Sequence, residues 1–328
     1  PGIDSSKVYT NDNVMRLDEL PARMVVIGGG VIAAEFSHVF SALGTEVTQL
    51  NRSSRLLRGV DAEVVERFEK AASKQWNIVK EASLAEIREN ADGSVTVVAK
   101  RASENGEELL EIPADAVLVA TGRRPNTDTL NAKNYFDVQD GGLLSVDKYQ
   151  RVLYNGAPVP GVFALGDVSS RYQLKHVANH EARVVQYNLS HPEDLRASDH
   201  RYVPGAIFSN PQIAIVGMTE EQAREAAARE GFEITVKAQN FGDTAYGWAM
   251  EDQIGLCKLI ARKDNGELLG AHLVGEESSV LIQPLIQAMS FNQDARTLAR
   301  GQYWIHPALT EIIENALLGL ELDEPAQA

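Results

Sequence analysis

The sequence predicts an α/β fold followed by an α+β region, and three observations carry that expectation. Residues 24–58 read as a buried strand, a glycine turn, an amphipathic helix and a second strand ending in arginines. Residues 116–120 form another fully apolar run that stops at Thr121-Gly122. From residue 199 onward, capped helices and alternating apolar strands follow one another in an α+β order.

The run 24–27 is short and β-branched, as expected for a parallel strand buried on both faces. Gly28, Gly30 and Ala33 then fill a G-x-G-x-x-A pattern. One glycine makes the tight turn, one lets backbone approach a pyrophosphate, and the small residue packs helix against strand. A pyrophosphate there meets N–H groups at a helix N-terminus. Val31, Ala34, Val39 and Leu43 mark the helix, Gly44 its end, and residues 46–50 a second strand. This is one βαβ half of a Rossmann-like dinucleotide domain; a simple strand-to-helix turn is the alternative.

An enzyme for NAD usually places Asp or Glu at the end of the second strand, to accept the ribose 2′-OH. Here that end reads Asn51-Arg52, with Arg55 and Arg58 close behind. Guanidinium forks suit a 2′-phosphate, so the expected dinucleotide is NADPH. A solvated surface turn is the alternative reading of the arginines.

At 328 residues with 44% hydrophobic composition, the chain has room for two or three domains with real cores. Its formal charge of −15 argues against nucleic acid or an anionic membrane as partner, and makes the local arginine cluster stand out as an anion site. No run of about 18 apolar residues and no signal peptide is found, which predicts a cytoplasmic protein. The single cysteine, Cys257, excludes an intrachain disulfide framework and a thiolate metal cluster. Its alternating apolar surroundings read as a buried strand position. The start at Pro1, with the first strand expected only at Met24, suggests a cut upstream of an existing domain.

After the arginines, Asp61 caps a helix with the stripe Val64, Val65, Phe68, Ala71 and Ala72. Strands are expected over 94–100 and 107–112, joined by the turn Glu104-Asn105-Gly106. The apolar strand 116–120 leads into Gly122-Arg123-Arg124-Pro125-Asn126, a loop at the carboxyl edge of a sheet. Residues 161–167 read as a further buried strand closed by Gly166-Asp167, and 174–189 as a helix. His176 and His180 in that helix form an i, i+4 pair, discounted as a metal site because no HExxH arrangement or thiolate accompanies it.

Thr219-Glu220-Glu221-Gln222 is a capping box opening an alanine-rich helix that Gly231 ends. Strands are expected over 233–239, 255–261 and 268–274, and one apolar helix over 280–289. The last helix is expected over 308–318 with Pro307 at its first position and Leu309, Ile312, Ile313, Ala316 and Leu317 on one face. His306 precedes it, and Glu311 is spaced to orient the imidazole. Spacing alone leaves a general acid/base and a plain helix-capping histidine equally open.

In this order, GGGVIAAEF, ATGRRPN, FALGDV and HPALTE resemble the flavin-dependent pyridine-nucleotide disulfide oxidoreductases across nearly the whole chain. The resemblance implies a Rossmann-like NADPH domain (1–124), a remnant of the FAD-contacting segment (125–198) and an α+β dimerisation domain (199–328). It implies that Gly28, Gly30 and Ala33 hold the NADPH pyrophosphate, Arg52 and Arg58 its 2′-phosphate, and Gly122 with Arg123 the nicotinamide side. It assigns Glu35 to a lysine pairing beside the nicotinamide, Gly166-Asp167 to the FAD ribityl chain, and the Lys175-His176 helix start to the flavin. His306 and Glu311 match an acid/base pair that reaches across a homodimer, with the 306–307 peptide in cis. No metal site is implied.

In the family, hydride passes from NADPH through FAD to a redox disulfide, whose thiolate attacks a low-molecular-weight disulfide substrate. The family's first flavin fingerprint and its Cys-x-x-x-x-Cys pair are missing from these residues. The expectation is therefore the C-terminal part of such a reductase, inactive alone and holding FAD weakly at best. Other family members with different substrates, and a non-catalytic NADP-binding dimerisation module, are the alternatives.

Overall fold

The computed structural model describes residues 1–103 and 106–324. Glu104 and Asn105 of the expected hairpin turn lie outside the described residues. Close contacts divide the chain into two units, Pro1–Gly122 with Pro204–Ala328, and Arg123–Val203. The first unit joins residues from the expected nucleotide and dimerisation segments.

The first unit opens with β1 (Val8–Tyr9), β2 (Arg23–Ile27), α1 (Val31–Ala42), β3 (Glu46–Leu50), α2 (Ala62–Ala72) and β4 (Asn77–Val79). It continues with β5 (Ala82–Glu89), β6 (Val95–Ser103), β7 (Gly106–Ala114) and β8 (Ala116–Val119). A five-stranded sheet runs β1-β8-β2-β3-β4, parallel throughout. Strand periodicity sends Met24 and Val26 into one core and Val25 and Ile27 into another. The second core is closed by the antiparallel sheet β5-β6-β7, through Ala82, Ile87, Val95, Val97 and Ala99.

Asp61 caps α2 as expected, and Val64, Val65, Phe68, Ala71 and Ala72 are all buried. The expected first strand at Met24 is corrected: β1 precedes it, pairing Val8 and Tyr9 with Val117 and Leu118. Two residues are too few to show a sequence period, which is why β1 was not foreseen.

The second unit holds β9 (Arg151–Tyr154), β10 (Ala157–Phe163) and α3 (Lys175–Ser190). β10 pairs antiparallel with β9 alone, and its residues are exposed or half-buried. The reading of 161–167 as a buried strand is therefore corrected. An apolar run is also compatible with a two-stranded ribbon that has only one partner.

The first unit then resumes with β11 (Gly205–Ile207), β12 (Gln212–Gly217), α4 (Glu220–Glu230), β13 (Ile234–Asn240), α5 (Ala245–Ala249), β14 (Leu256–Arg262) and β15 (Leu268–Gly275). α6 (Ser278–Leu281), α7 (Gln283–Ser290), α8 (Ala295–Arg300) and α9 (Glu311–Leu318) complete it. The strands form an antiparallel sheet β11-β12-β15-β14-β13. Both halves of the capping box are present on α4, which Gly231 terminates.

Two helix expectations are corrected. The single helix over 280–289 is α6 and α7, broken at Ile282, because Pro284 at the start of α7 has no N–H to continue the ladder. Pro307 does not open the last helix, which starts at Glu311 after Thr310.

Ile207, Ile213, Leu256 and Val274 of the antiparallel sheet share one core with β2, α1 and α2, which is why these segments form one unit. An ion cluster centred on the buried pair Lys258 and Asp61 lies among the same elements. Lys258 on β14 bonds Asp61 at 3.0 Å, Glu220 at 2.7 Å and Glu63 at 3.2 Å. Asp61 also accepts the N–H groups of Glu63 and Glu220, so the starts of two helices meet on one lysine.

Candidate functional site

β2 and β8 lie side by side, with β3 beyond one and β1 beyond the other, so the strand order reverses between them. Open α/β sheets bind ligands at the carboxyl ends of the strands at such a point. Gly28 follows β2 with φ +147°, and a Cβ there would stand 2.3 Å from the Ala120 carbonyl. Only glycine fits. That Cβ would also touch buried Ala33, at 3.4 Å, which explains the small residue on α1.

The turn's carbonyls face inward and are satisfied. Gln49 Nε2 donates to Gly28 O at 3.0 Å, Trp76 Nε1 donates to Gln49 Oε1 at 3.0 Å, and Leu57 N–H donates to Gly29 O at 2.7 Å. Among the described residues, the N–H groups of Gly30, Val31, Ile32 and Ala33 have no protein acceptor. No atom lies within 4 Å of where a Gly30 Cβ would be. Unpaired N–H groups on an open backbone face fit a pyrophosphate. Gly122, three residues past the end of the neighbouring strand β8, has φ +154° and is exposed.

Asn51, where an acid would bind a ribose hydroxyl, is buried and turned into the protein, donating to Ser53 O at 2.9 Å and Arg55 O at 3.1 Å. Arg55 closes the loop on itself by donating to Arg58 O at 3.2 Å. Arg52 and Arg58 are exposed, and among the described residues their guanidinium groups have no partner. Those two cations fit a 2′-phosphate. Glu35 on α1 accepts the Phe208 N–H at 2.9 Å, which ties it to the end of β11.

In the second unit, Gly166 has φ +70° and its N–H donates to Glu181 Oε2 at 2.7 Å. Glu181 on α3 is buried, and its other oxygen bonds His200 Nε2 at 2.9 Å. The next residue, Asp167, is half-exposed and only loosely paired with Arg123, at 3.6 Å. A carboxylate with open acceptor positions fits a polyol hydroxyl. Lys175 and His176 open α3, as expected. His180 Nε2 accepts the Asp199 N–H at 3.3 Å, and no group of three metal-ligating side chains gathers among the described residues.

His306 and Glu311 do meet. Nδ1 lies 2.7 Å from Glu311 Oε1, while Oε2 takes the Ala308 N–H at 3.3 Å. A carboxylate only accepts, so Nδ1 carries the proton and Nε2 is the face offered outward. Glu311 is the first residue of α9, where a negative charge is favoured. The 306–307 peptide is cis, as the resemblance implied. Cys257 is fully buried on β14, and burial pushes its thiol up to about 12, far from a reactive thiolate.

The sequence reading missed the side chains that support these groups. Gln49 lies on buried β3 and Asn51 just past its end, and a buried amide there needs hydrogen-bond partners. That was the available signal. Glu181 and His200 carried no pattern, because they meet only through the tertiary fold.

Residues 1–182 match the pyridine nucleotide-disulphide oxidoreductase family, and residues 203–317 match its dimerisation domain. The chain is 52% identical to mycothione reductase of Mycobacterium tuberculosis, over 98% of this chain and 67% of that protein. It is 33% identical to a dihydrolipoyl dehydrogenase of Synechocystis, over 96% of this chain and 66% of that protein. Among solved structures, it matches an HOCl-induced flavoprotein disulfide reductase of Escherichia coli with a TM-score of 0.83 and 28% identity, over 97% of this chain and 70% of that one. No described helix is long and apolar enough to cross a membrane. With both of its domains matched in order and a relative at 52% identity across nearly all its residues, the chain belongs to the pyridine nucleotide-disulphide oxidoreductase family.

Proposed function

We propose that this chain supplies the NADPH-binding, flavin-contacting and dimerising parts of a homodimeric reductase whose substrate is mycothiol disulfide. The observation that supports this most is the exposed His306 imidazole, fixed through Nδ1 on Glu311 with Nε2 turned outward. NADPH and FAD, when bound, supply the hydride route from nicotinamide to disulfide. Gly28, Gly30 and Ala33 shape the turn that takes the pyrophosphate, and Arg52 and Arg58 take the 2′-phosphate. Asp167 would accept a hydrogen bond from the FAD ribityl chain, and the Lys175-His176 helix start would face the flavin. His306 holds a proton at Nε2 for the departing substrate thiolate, and Glu311 stabilises the charged imidazolium.

The reaction also needs a redox dithiol, which one buried cysteine cannot form. The reading therefore applies to an assembly that contains such a pair, and these 328 residues alone should reduce no disulfide. The substrate rests on the 52% identity to mycothione reductase, against 33% for the dihydrolipoyl dehydrogenase. Lipoamide is the second reading for that reason. The test is the kcat/KM of the intact enzyme with each substrate and NADPH as donor. Preference for mycothiol disulfide is expected, and preference for lipoamide would overturn it. His306→Ala should lower kcat by about a hundredfold.

A further inference from the structure

Recognition of a 2′-phosphate by Arg52 and Arg58 leaves open what holds a seven-residue surface loop in the right shape. Leu56 and Leu57 are buried, and Leu57 sits at φ +46° with its N–H on Gly29 O, so the second half of the loop is pinned to the glycine turn. The first half has a different anchor. Both amide hydrogens of Asn51 are used there, one on Ser53 O and one on Arg55 O, and Ser53 O is shared with the Glu81 N–H.

The other end of the same side chain sits beneath the glycine turn. A Cβ on Gly29 would stand 2.3 Å from Asn51 Oδ1. Asn51 is itself fixed on both sides by backbone, donating to Val79 O at 2.8 Å and accepting from Ala82 N at 3.1 Å. One buried amide thus lies under both the segment that faces the pyrophosphate and the segment between the two phosphate-facing arginines.

We infer that Asn51 is a positioning residue that sets NADPH preference, by locking the arginine loop to the glycine turn so that the two phosphates are read as one rigid pattern. The inference rests on the assignment of Arg52 and Arg58 to the 2′-phosphate. NADH has no 2′-phosphate and uses only the turn. Loosening residues 53–55 should therefore weaken NADPH and spare NADH. A generally damaged fold would weaken both.

The chemistry of the side chain supplies the test. Asn51→Asp is nearly isosteric, but a carboxylate has no hydrogen to donate and would face two carbonyl oxygens. Asn51→Ser removes the reach without adding charge. Dissociation constants for NADPH and NADH are measured by titration calorimetry on the wild type, both variants, and the pair Arg52→Glu with Arg58→Ala. The arginine pair should abolish the preference for NADPH, and equal losses of both nucleotides there would overturn the phosphate assignment itself.

With that arm as expected, Asn51→Asp should lower the NADPH-to-NADH preference by about tenfold, and Asn51→Ser by several-fold. An unchanged ratio in both variants, or parallel losses of the two nucleotides, would overturn the role of Asn51. An effect confined to the aspartate would also overturn it, because simple charge repulsion would then explain the result.

Discussion

The two glycine turns of this chain differ in which groups they leave unpaired. At Gly28-Gly29-Gly30 the carbonyls are tied inward by Gln49 and Leu57, and a row of N–H groups is left without acceptors among the described residues. At Gly166-Asp167 the backbone N–H is consumed by buried Glu181, and a side-chain carboxylate is what remains available. The first turn presents donors for an anion, the second acceptors for hydroxyls. The first has two exposed arginines, Arg52 and Arg58, in the loop beside it, whereas the second offers a single carboxylate. NADPH should therefore bind these residues far better than FAD does.

The supports behind the turns differ as well. Asp61, which follows the arginine loop and caps α2, is bonded to Lys258 inside the core. Burial raises the Asp61 carboxyl, but hydrogen bonds from Lys258 and the Glu220 N–H outweigh it and hold it below the usual range. Glu220 is held down chiefly by its bond to Lys258. Burial alone would lower the Lys258 ammonium, and the two carboxylates reverse that. Lys258→Met should then have the largest effect on stability, about 3 kcal/mol, because it leaves the buried Asp61 carboxylate, with half-buried Glu220 beside it, without their cation. All three tryptophans, Trp76, Trp248 and Trp304, lie in the first unit, so urea unfolding followed by tryptophan fluorescence reads that loss.

Gly30→Val tests the first turn directly. Its side chain would occupy the open face and block at least two N–H contacts to phosphate, a loss of roughly 100-fold in NADPH affinity. Folding should be unaffected, since nothing lies within 4 Å of that Cβ. Glu181→Ala is the counterpart in the second unit. It leaves the Gly166 N–H buried without an acceptor, at a cost of about 2 kcal/mol. Faster hydrogen exchange at Gly166 with unchanged NADPH affinity is the expected result, and unchanged exchange would show that Glu181 does not hold the turn.

The same contrast explains what was legible beforehand. β2, α1 and β3 announce themselves because period, cap and turn lie within one contiguous stretch, and the Asp61 cap and the Thr219 box are equally local. β10 was misread as buried because an apolar run does not say how many partners its strand has. The break between α6 and α7 was visible as Pro284, but it was outweighed by the apolar pattern around it. His306 and Glu311 were paired from five-residue spacing even though the helix starts later than expected, since the turn before α9 still brings them together. Lys258 gave no such signal. A lysine alternating with apolar residues on a strand normally faces water, and only the arrival of two helix starts from distant segments makes burial tolerable.

The smallest expected effect is the pH dependence of the first unit near neutrality. His272 on β15 is buried, its Nε2 bonds Met218 O at 2.7 Å, and its Nδ1 has no partner among the described residues. Burial pushes its pKa down. The unfolded chain therefore takes up the proton first, at about pH 6.5, while the folded chain resists it. Stability of the first unit should be fully present above that pH and fall as the pH drops below it, by at most about 1.4 kcal/mol per pH unit. Asp61 and Glu220, with lowered folded values, add a second loss that begins below about pH 4.5. In the second unit Arg201 holds Asp199 down to about 2, so its contribution begins to decline below the ordinary Asp value of 3.8 and is gone once the pH falls past about 2. Tryptophan-monitored urea midpoints between pH 7 and 5 should fall for the wild type and stay level for His272→Gln, whose amide can still donate to Met218 O. A level wild-type profile would mean that His272 accepts its proton without a penalty, and that the unpaired Nδ1 is not the weak point of this core.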